Sequence, residues 1–426
     1  MHLKISKKII PLIFGLCTFK ISLDISYILF VSRYFEYRGF DLNISILKYL
    51  LSWISLLIVL PFAPYYSNKS SNYFILTIIL SLIIPLTSVY GLSSRNIDPL
   101  LITIFYFFII YFILKIKLVN RIKPYYIKNG NKIAVIISLF FILLVTWWYF
   151  FSGAYKYFNL DFTKVYQFRE LSNKLASVGI MSYINGWVYK VFIVYLMAYA
   201  LLKKNFAFFM ILFFIEVFFY SISGQKSVFF TPILIFSIWF YLKNFKTLLI
   251  LPIGFTIIII ISYFSFLLFD DMLTPSMFIR RVFFVPAKLS YDYFDFFAEN
   301  HFIYWSNSFL SHFIEYPYSL PLAELIGNYE GTGSHANNGF IASGYAHFGL
   351  VGVMIYAVIL GFILKILDYV ATRGVPVWFV LCVVVVPLRD ALISSDLLTT
   401  LLTHGLFVAL ILLFLSIDNN KIYYKK

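Results

Sequence analysis

The sequence predicts an all-α protein that crosses a membrane about twelve times. Of its 426 residues, 62% are hydrophobic and only 12% are charged, and the mean hydropathy is +0.88. Such values exclude a soluble globular domain and are typical of polytopic membrane proteins. Twelve apolar stretches are candidates to cross about 30 Å of hydrocarbon at about 1.5 Å per helical residue. They lie near residues 9–31, 44–63, 73–91, 99–116, 133–151, 187–202, 205–223, 228–242, 247–269, 347–370, 375–394 and 398–416.

The lysines and arginines between the spans predict the orientation. With the N-terminus placed inside, the segments on that side carry a large excess of cations, whereas the opposite segments carry slightly more acids than cations. Cytoplasmic loops of membrane proteins are enriched in Lys and Arg, so both termini are predicted to be cytoplasmic. This topology also accounts for the basic loop 115–132, and it is favoured over nucleic-acid binding there.

The spans and two long outer segments divide the chain into five parts. Spans 1–5 occupy residues 1–151, and spans 6–9 occupy 187–269, after an external loop at 152–186. Spans 10–12 and a cytoplasmic tail occupy 347–426. The interval 270–346 is predicted as a large external loop with short amphipathic helices. A connection of this length is typically functional, so active-site residues are expected there.

Four cations of the outer segments are candidates to bind phosphate. They are Arg169, Lys226, Arg280 and Arg281. Arginine offers a planar fork of donors that matches phosphate geometry, and lysine offers a point charge. The alternative for the arginines is a solvated helix face. For Lys226 the alternative is an interfacial lysine whose stem lies along apolar surface.

The Gly-rich segment before span 10 holds the candidate general base, His335. An imidazole with a pKa near 6.5 can accept a proton from a sugar hydroxyl at neutral pH. A structural, hydrogen-bonded histidine is the alternative. Asn337 and Asn338 follow, and their amides are expected to orient sugars.

Carboxylates of the same interval offer a second type of base. Asp292, Asp295 and Glu299 have the spacing i, i+3, i+7 and share one face of a helix. We favour an amphipathic helix on the membrane with these acids in water, and a carboxylate base is the alternative.

Glu216 is an acid inside a predicted span. It lies eight residues before Gly224, which places it about 12 Å inside the outer boundary. A charge at such depth costs about 2.5–3.5 kcal/mol on insertion scales, so Glu216 should be paired or protonated. Structural pairing is the favoured interpretation, and a proton-coupled role is the alternative.

Motifs for metals and cofactors do not stand out. We find no P-loop, HExxH or dinucleotide fingerprint, and the first outer loop lacks an Asp-x-Asp pair. The sequence therefore predicts neither a metal site nor a cofactor. Without a metal, an anionic leaving group would have to be stabilised by cationic side chains.

Three stretches resemble the oligosaccharide repeat-unit polymerases of the O-antigen and capsule pathway (Wzy-type). They are Ser221–Ser227, Tyr291–His301 with Trp305 and Ser308, and Ala336–Gly352. The last is the most specific, because a polar Asn/Gly segment followed by Phe-Gly-x-x-Gly into a span is typical of these enzymes.

This resemblance implies a fold related to the GT-C glycosyltransferases and a metal-independent transfer at the periplasmic face of the bacterial inner membrane. A growing glycan on undecaprenyl pyrophosphate would move en bloc onto an incoming lipid-linked repeat unit. A chain-length regulator is a candidate partner, besides the membrane lipid. Within this hypothesis His335, Arg281 and Lys226 act in catalysis. The predicted substrate-binding residues are Arg169, Arg280, Asn337, Asn338, Tyr291 and Trp305.

Two other functions fit the same topology. An O-antigen ligase uses similar geometry with a different acceptor. A twelve-helix polysaccharide or lipid transporter would show similarity between its two halves. Here the longest outer loop follows span 9, which breaks such symmetry.

Overall fold

The protein is helical throughout the part that the structure describes. The computed structural model describes residues 9–116, 127–161, 164–308 and 310–417. The chain is 77% helical, and no strand occurs within these ranges. The all-α prediction is confirmed.

Nine helices in the described ranges are long and apolar enough to cross a membrane. They are α1 (Ile10–Arg38), α3 (Ser70–Leu92), α4 (Asp98–Lys115), α5 (Gly130–Phe151), α7 (Met181–Leu202), α8 (Phe206–Ser223), α9 (Lys226–Asn244), α10 (Ile250–Phe269) and α13 (Phe340–Thr372). Two apolar helices are shorter, α2 (Ile46–Phe62) and α16 (Leu406–Leu415). The chain is therefore a polytopic membrane protein, and the count of twelve spans stays a prediction.

Five further helices complete the described fold. They are α6 (Val165–Ala176), α11 (the continuous run Leu273–Pro275, Ser276–Phe284 and Val285–Glu299), α12 (Leu322–Tyr329), α14 (Val377–Ile393) and α15 (Leu397–Leu402). The predicted span 12 is thus divided into α15 and α16. Gly405 lies between them with φ +79°, a left-handed conformation that glycine adopts without steric cost.

Helix α13 is interrupted near its start, at Phe348 and Gly349. Gly349 has φ 58° and ψ −138°, so the helical hydrogen bonds are broken there. The carbonyls of Ala346 and His347 accept instead from the backbone N–H groups of Ile303 and Tyr304, at 3.0 and 3.1 Å. The interruption therefore attaches the 302–306 segment to α13. Span 10, expected from residue 347, is preceded by an additional helical segment from Phe340.

Two contacts between helices each join residues that are predicted to lie on the same side of the membrane. Lys190 bonds Asp390 at 2.9 Å, and both belong to predicted outer ends. Ser71 bonds Asp368 at 2.6 Å, and both belong to the predicted inner side. These contacts agree with the division of the loops that the charge pattern predicts. Which group faces the cytoplasm stays a prediction, as does the type of membrane.

The interval 270–346 contains a helix packed into the body of the protein. In α11, the side chains of Tyr291, Asp292 and Phe297 are almost completely buried. Asp292 is 3% exposed, so the expectation that this acid lies in water is wrong. Its burial is compensated by ion pairs, which the periodicity of α11 alone does not reveal.

Gly352 in α13 gives a test of the packing at the interruption. A Cβ atom there would lie 2.0 Å from the carbonyl oxygen of Gly344, and backbone cannot yield as a side chain can. We expect Gly352→Ala to cost at least about 1–3 kcal/mol of stability, as overpacking does. Thermal unfolding in detergent, followed by size-exclusion chromatography, measures this change.

Gly254 in α10 is the matched control, because a Cβ there meets no atom within 4 Å. Alanine is favoured over glycine in helices by about 1 kcal/mol. Gly254→Ala should therefore unfold at the wild-type temperature or above. Equal unfolding temperatures for Gly352→Ala and the wild type would contradict the observed packing.

Candidate functional site: an arginine cluster beside a buried ion network

Arg280 is a buried cation without an acidic partner. It lies in the π-helical part of α11 and is 9% exposed. Its Nε and one terminal nitrogen donate to Ser276 Oγ at 3.1 and 2.9 Å, and its guanidinium lies 4.2 Å from the Phe35 ring centroid. No carboxylate of the described residues is within ion-pair distance.

Two more arginines, Arg38 and Arg281, lie close to Arg280. Burial, followed by the charges of Arg281 and Arg38, lowers the pKa of Arg280. Both neighbours are exposed to the surroundings. We call Arg38, Arg280 and Arg281 the arginine cluster. Within the described ranges none of the three forms an ion pair with a carboxylate, so a bound anion would stabilise this cluster.

The surface around the arginine cluster is apolar. Phe269, Leu273 and Phe278 are exposed near the start of α11, and Tyr37 is exposed next to Arg38. Most of α10, which leads into this region, also presents exposed isoleucine, leucine and phenylalanine side chains. In a membrane protein such a surface faces lipid. An anion bound here could therefore carry an apolar tail.

A network of five charged side chains is built on the second half of α11. Lys288 Nζ lies 2.7 Å from Asp292 Oδ2 and 2.8 Å from Glu330 Oε1. The two terminal nitrogens of Arg95 contact different acids: Nη2 lies 2.7 Å from Asp292 Oδ1, and Nη1 lies 2.7 Å from Asp295 Oδ2. Together these pairs link the α3–α4 connection, α11 and the end of α12. We call these five residues the ion network.

The ion network contains two cations and three carboxyl groups, so its net charge is zero when one of the carboxyl groups is protonated. Burial, followed by a hydrogen bond with Asp292, raises the pKa of Glu330 to about 7. Burial alone would raise the pKa of Asp292, but the hydrogen bond from Glu330 and the charges of Lys288 and Arg95 lower it below the usual value. The shared proton therefore resides on Glu330 and is lost near neutral pH.

The arginine cluster and the ion network adjoin each other through the end of α1 and Gly39. Gly39 has φ +79°, and a Cβ there would lie 2.6 Å from Lys288 Cε. Its neighbour Arg38 belongs to the arginine cluster. Arg280 and Lys288 are eight residues apart on α11, about 12 Å along a regular helix. A cluster of cations that could bind an anion and a carboxyl group with a raised pKa thus lie in one region of the protein.

His347 lies in a separate hydrogen-bonded group at the interruption of α13. Its Nδ1 accepts from the backbone N–H of Trp305 at 3.2 Å, so Nε2 carries the proton and donates to Asp396 at 3.2 Å. Tyr356 donates to the same carboxylate at 2.7 Å and accepts from Trp305 Nε1 at 2.9 Å. Both ring nitrogens are engaged, which makes His347 a structural residue rather than a free base.

A polar cavity of about 510 Å³ lies at the predicted outer ends of α6, α7 and α15. Lys190 and His404 line it, and both contact Asp390 of α14, at 2.9 and 3.1 Å. Hydroxyl and amide groups provide much of the remaining lining, including Tyr189 and Gln225.

The structure places the four predicted phosphate-binding cations in two groups. Arg280 and Arg281 are in the arginine cluster. Arg169 packs against Gly224, the residue before Gln225 and Lys226 at the start of α9. The second group therefore lies next to the polar cavity rather than in the arginine cluster.

The remaining predicted site residues are dispersed. His335 is 71% exposed at its side chain, with Nδ1 3.8 Å from Glu324, and Asn337 is also exposed. Asn338 is buried, and its amide donates to the Pro286 carbonyl and Ser290 Oγ.

The two predicted aromatic binding residues contact other protein groups. Tyr291 is fully buried, and its hydroxyl donates to the Leu86 carbonyl. Trp305 is half-buried and packs edge-to-face against Phe348. In this conformation Tyr291 and Asn338 present almost no surface to a ligand, and their contacts position α11 and α13.

Sequence reasoning missed Arg38, Arg95 and Glu330. Arg38 carries a weak signal, since it lies in the first outer loop with another arginine, Arg33. Lys288 and Asp292 have the i, i+4 spacing of an ion pair, which was available from the sequence. Arg95 and Glu330 are 197 and 38 residues from Asp292, and no local pattern predicts those contacts.

The fold and the described residues define a polytopic membrane protein with an arginine cluster bordered by exposed apolar side chains, beside a buried ion network. Comparison of the chain with protein-family models, with curated proteins and with solved structures finds no match in any of the three.

Proposed function

We propose that the protein is a metal-independent glycosyltransferase that polymerises oligosaccharide repeat units carried on undecaprenyl pyrophosphate, at the outer face of a bacterial inner membrane. The sequence resemblance supplies the reaction class. The observation that carries the proposal is Arg280, which is buried without a carboxylate, flanked by two arginines and bordered by lipid-facing apolar surface. A diphosphate attached to a polyprenyl tail matches both features.

The proposed reaction uses the arginine cluster for the leaving group. An acceptor hydroxyl attacks the anomeric carbon of the donor sugar, and the bond from that carbon to the diphosphate oxygen breaks. The negative charge that develops on the diphosphate is stabilised by the guanidinium groups of Arg280 and Arg281. The products are the extended lipid-linked glycan and free undecaprenyl diphosphate.

Glu330 is the base that this proposal favours over His335. The acceptor hydroxyl must lose its proton as the new bond forms, and a base works best when its pKa is near the working pH. The pKa of Glu330 is about 7, and Glu330 lies in the ion network next to the arginine cluster. His335 is exposed, and its Nδ1 lies 3.8 Å from Glu324 Oε1, which is too far for a hydrogen bond.

A reconstituted reaction tests the proposed function. The purified full-length protein in vesicles receives lipid-linked repeat units, and products are separated by size and by release of undecaprenyl diphosphate. We expect a ladder of glycans on the lipid carrier without added metal. Transfer to a lipopolysaccharide core acceptor without a ladder would identify a ligase. Movement of substrate across the bilayer without chemical change would identify a transporter.

The pKa of Glu330 predicts the pH dependence of the reaction. Below about pH 7 Glu330 carries a proton and cannot accept another, and above it the carboxylate is available. We expect the polymerisation rate to rise about tenfold per pH unit well below pH 7 and to level off above it. Glu330→Gln should lose at least about 100-fold in rate, as removal of general-base catalysis typically does.

His335→Ala is the control, because it removes the exposed imidazole and leaves the ion network intact. It should keep both the rate and the pH profile. Loss of the rise near pH 7 in His335→Ala, with the rise retained in Glu330→Gln, would transfer the role of base to His335.

A further inference from the structure

Glu216 is fully buried in α8, and neither carboxyl oxygen has a hydrogen-bond partner among the described residues. The expectation of structural pairing is therefore wrong for this residue. It lies eight residues before the end of α8 at Gly224, about 12 Å from that end.

Several other buried or half-buried charges of the described chain are compensated. Lys20 pairs with Asp24 at 3.0 Å, and Asp368 accepts from the hydroxyl and the backbone N–H of Ser71 at 2.6 and 2.8 Å. Lys365 donates to backbone carbonyls of α4 and of the residue that follows it. These charges have compensating groups among the described residues, whereas no described residue donates a hydrogen bond to the Glu216 carboxyl.

The groups that surround Glu216 determine whether its carboxyl group can be accommodated in the ionised or in the protonated form. Tyr149 of α5 and Tyr189 of α7 are close enough to interact with it electrostatically. Arg169 of α6 interacts with Tyr189, and none of the described residues donates a hydrogen bond to the Glu216 carboxyl. A bare carboxylate in such surroundings costs several kcal/mol, whereas a protonated carboxyl costs about 1–3 kcal/mol.

One residue, Tyr189, is close both to this carboxyl and to the polar cavity. Tyr189 interacts with Glu216 on one side and lines the polar cavity on the other. Its hydroxyl accepts from Gln225 Nε2 at 3.4 Å, and Gln225 also lines the cavity. The hydroxyl of Tyr189 is a group that can both accept and donate a proton.

We propose that Glu216 is a reversible proton-binding site of the folded protein, filled from the polar cavity by way of Tyr189. Loss of the proton places an uncompensated carboxylate between α8 and its neighbours α5 and α7. The proton site therefore links pH to the packing of the helices that form one wall of the cavity. This proposal is independent of the polymerase proposal and of its substrates.

Labelling with dicyclohexylcarbodiimide tests for the proton. This apolar reagent reacts with protonated carboxyl groups: the oxygen and the proton add across one C=N bond, and nothing is released. We expect mass spectrometry of the full-length protein in membranes to find the adduct on Glu216 at pH 6 and at least tenfold less at pH 9. Asp24 and Asp390, which are ion-paired, serve as internal controls and should stay unmodified. The absence of an adduct on Glu216 at pH 6, or equal labelling at both pH values, would overturn the proposal.

Thermal unfolding gives a second measurement that does not depend on reagent access. A proton bound by the folded state and released on unfolding makes the unfolding temperature fall as pH rises. The isosteric variant Glu216→Gln removes the site, so its unfolding temperature should fall less between pH 6 and pH 9 than that of the wild type. Parallel curves for the two proteins would overturn the proposal even if the adduct forms.

Discussion

Arg280→Ala should abolish glycan polymerisation by the reconstituted protein while leaving the protein folded. The substitution removes the one arginine of the cluster that is both buried and free of an acidic partner. Loss of one donor to a developing negative charge typically costs about 10²–10³-fold in rate. The measurement is the ladder of lipid-linked glycans formed from purified repeat units, together with the release of undecaprenyl diphosphate.

Two further variants make this prediction more specific. Arg281→Ala should lower the rate less than Arg280→Ala, because Arg281 is exposed and more screened by water. Arg280→Lys keeps the charge but loses the fork and the contact with the Phe35 ring, so it should be strongly impaired.

Arg33→Ala is the matched control. Arg33 is exposed in the same α1 region as Arg38, and its guanidinium lies over Tyr34. It should polymerise at the wild-type rate. A wild-type ladder from Arg280→Ala would remove the arginine cluster from the reaction.

Asp292→Ala should destabilise the protein by about 3–5 kcal/mol, the effect of breaking a buried ion pair by removing one partner. Asp292 is the residue of the ion network that contacts both cations, Lys288 and Arg95, at 2.7 Å. Without it, the buried Lys288 and the half-buried Arg95 are left with incomplete compensation. Unfolding of the purified protein in detergent, by heat or by denaturant, measures the loss.

Asp295→Ala is the matched control for this prediction. Asp295 has one ion-paired partner, Arg95, and its side chain is 35% exposed. Exposed ion pairs contribute about 0–1 kcal/mol, so the stability should change little. Similar losses for the two variants would mean that burial in the ion network does not determine its contribution.

Local patterns allowed many of the helices to be predicted from the sequence. An apolar run of about twenty residues satisfies its own backbone hydrogen bonds only as a helix in lipid, so composition and length suffice. Stretches such as 133–151 and 205–223 coincide closely with α5 and α8. The interruptions at Gly349 and Gly405 were not predicted, because they depend on partners elsewhere in the fold that satisfy the freed backbone groups.

The candidate site was predictable only in part. Arg280 and Arg281 were identified because two adjacent arginines outside a span are unusual and suit phosphate. Lys226 and Arg169 were identified on the same principle, but they lie near a different cavity. His335 was chosen because an imidazole ordinarily has a pKa near neutral pH. In the folded protein, however, it is the carboxyl group of Glu330 whose pKa is raised to about 7. Burial and hydrogen bonding set such a shift, and neither can be read from residue type.

The sequence by itself determined that this is a helical membrane protein with two sets of loops, one of which carries a large excess of lysines and arginines. Hydrophobic length and loop charge act locally, so they can be read along the chain. Only the tertiary structure decided that Arg38 lies beside Arg280, that Arg95 contacts Asp292 and Asp295, and that Glu216 has no hydrogen-bond partner in the part of the chain that the structure describes. Electrostatic interactions depend on distance and burial in space, and the groups concerned lie up to about two hundred residues apart in the chain.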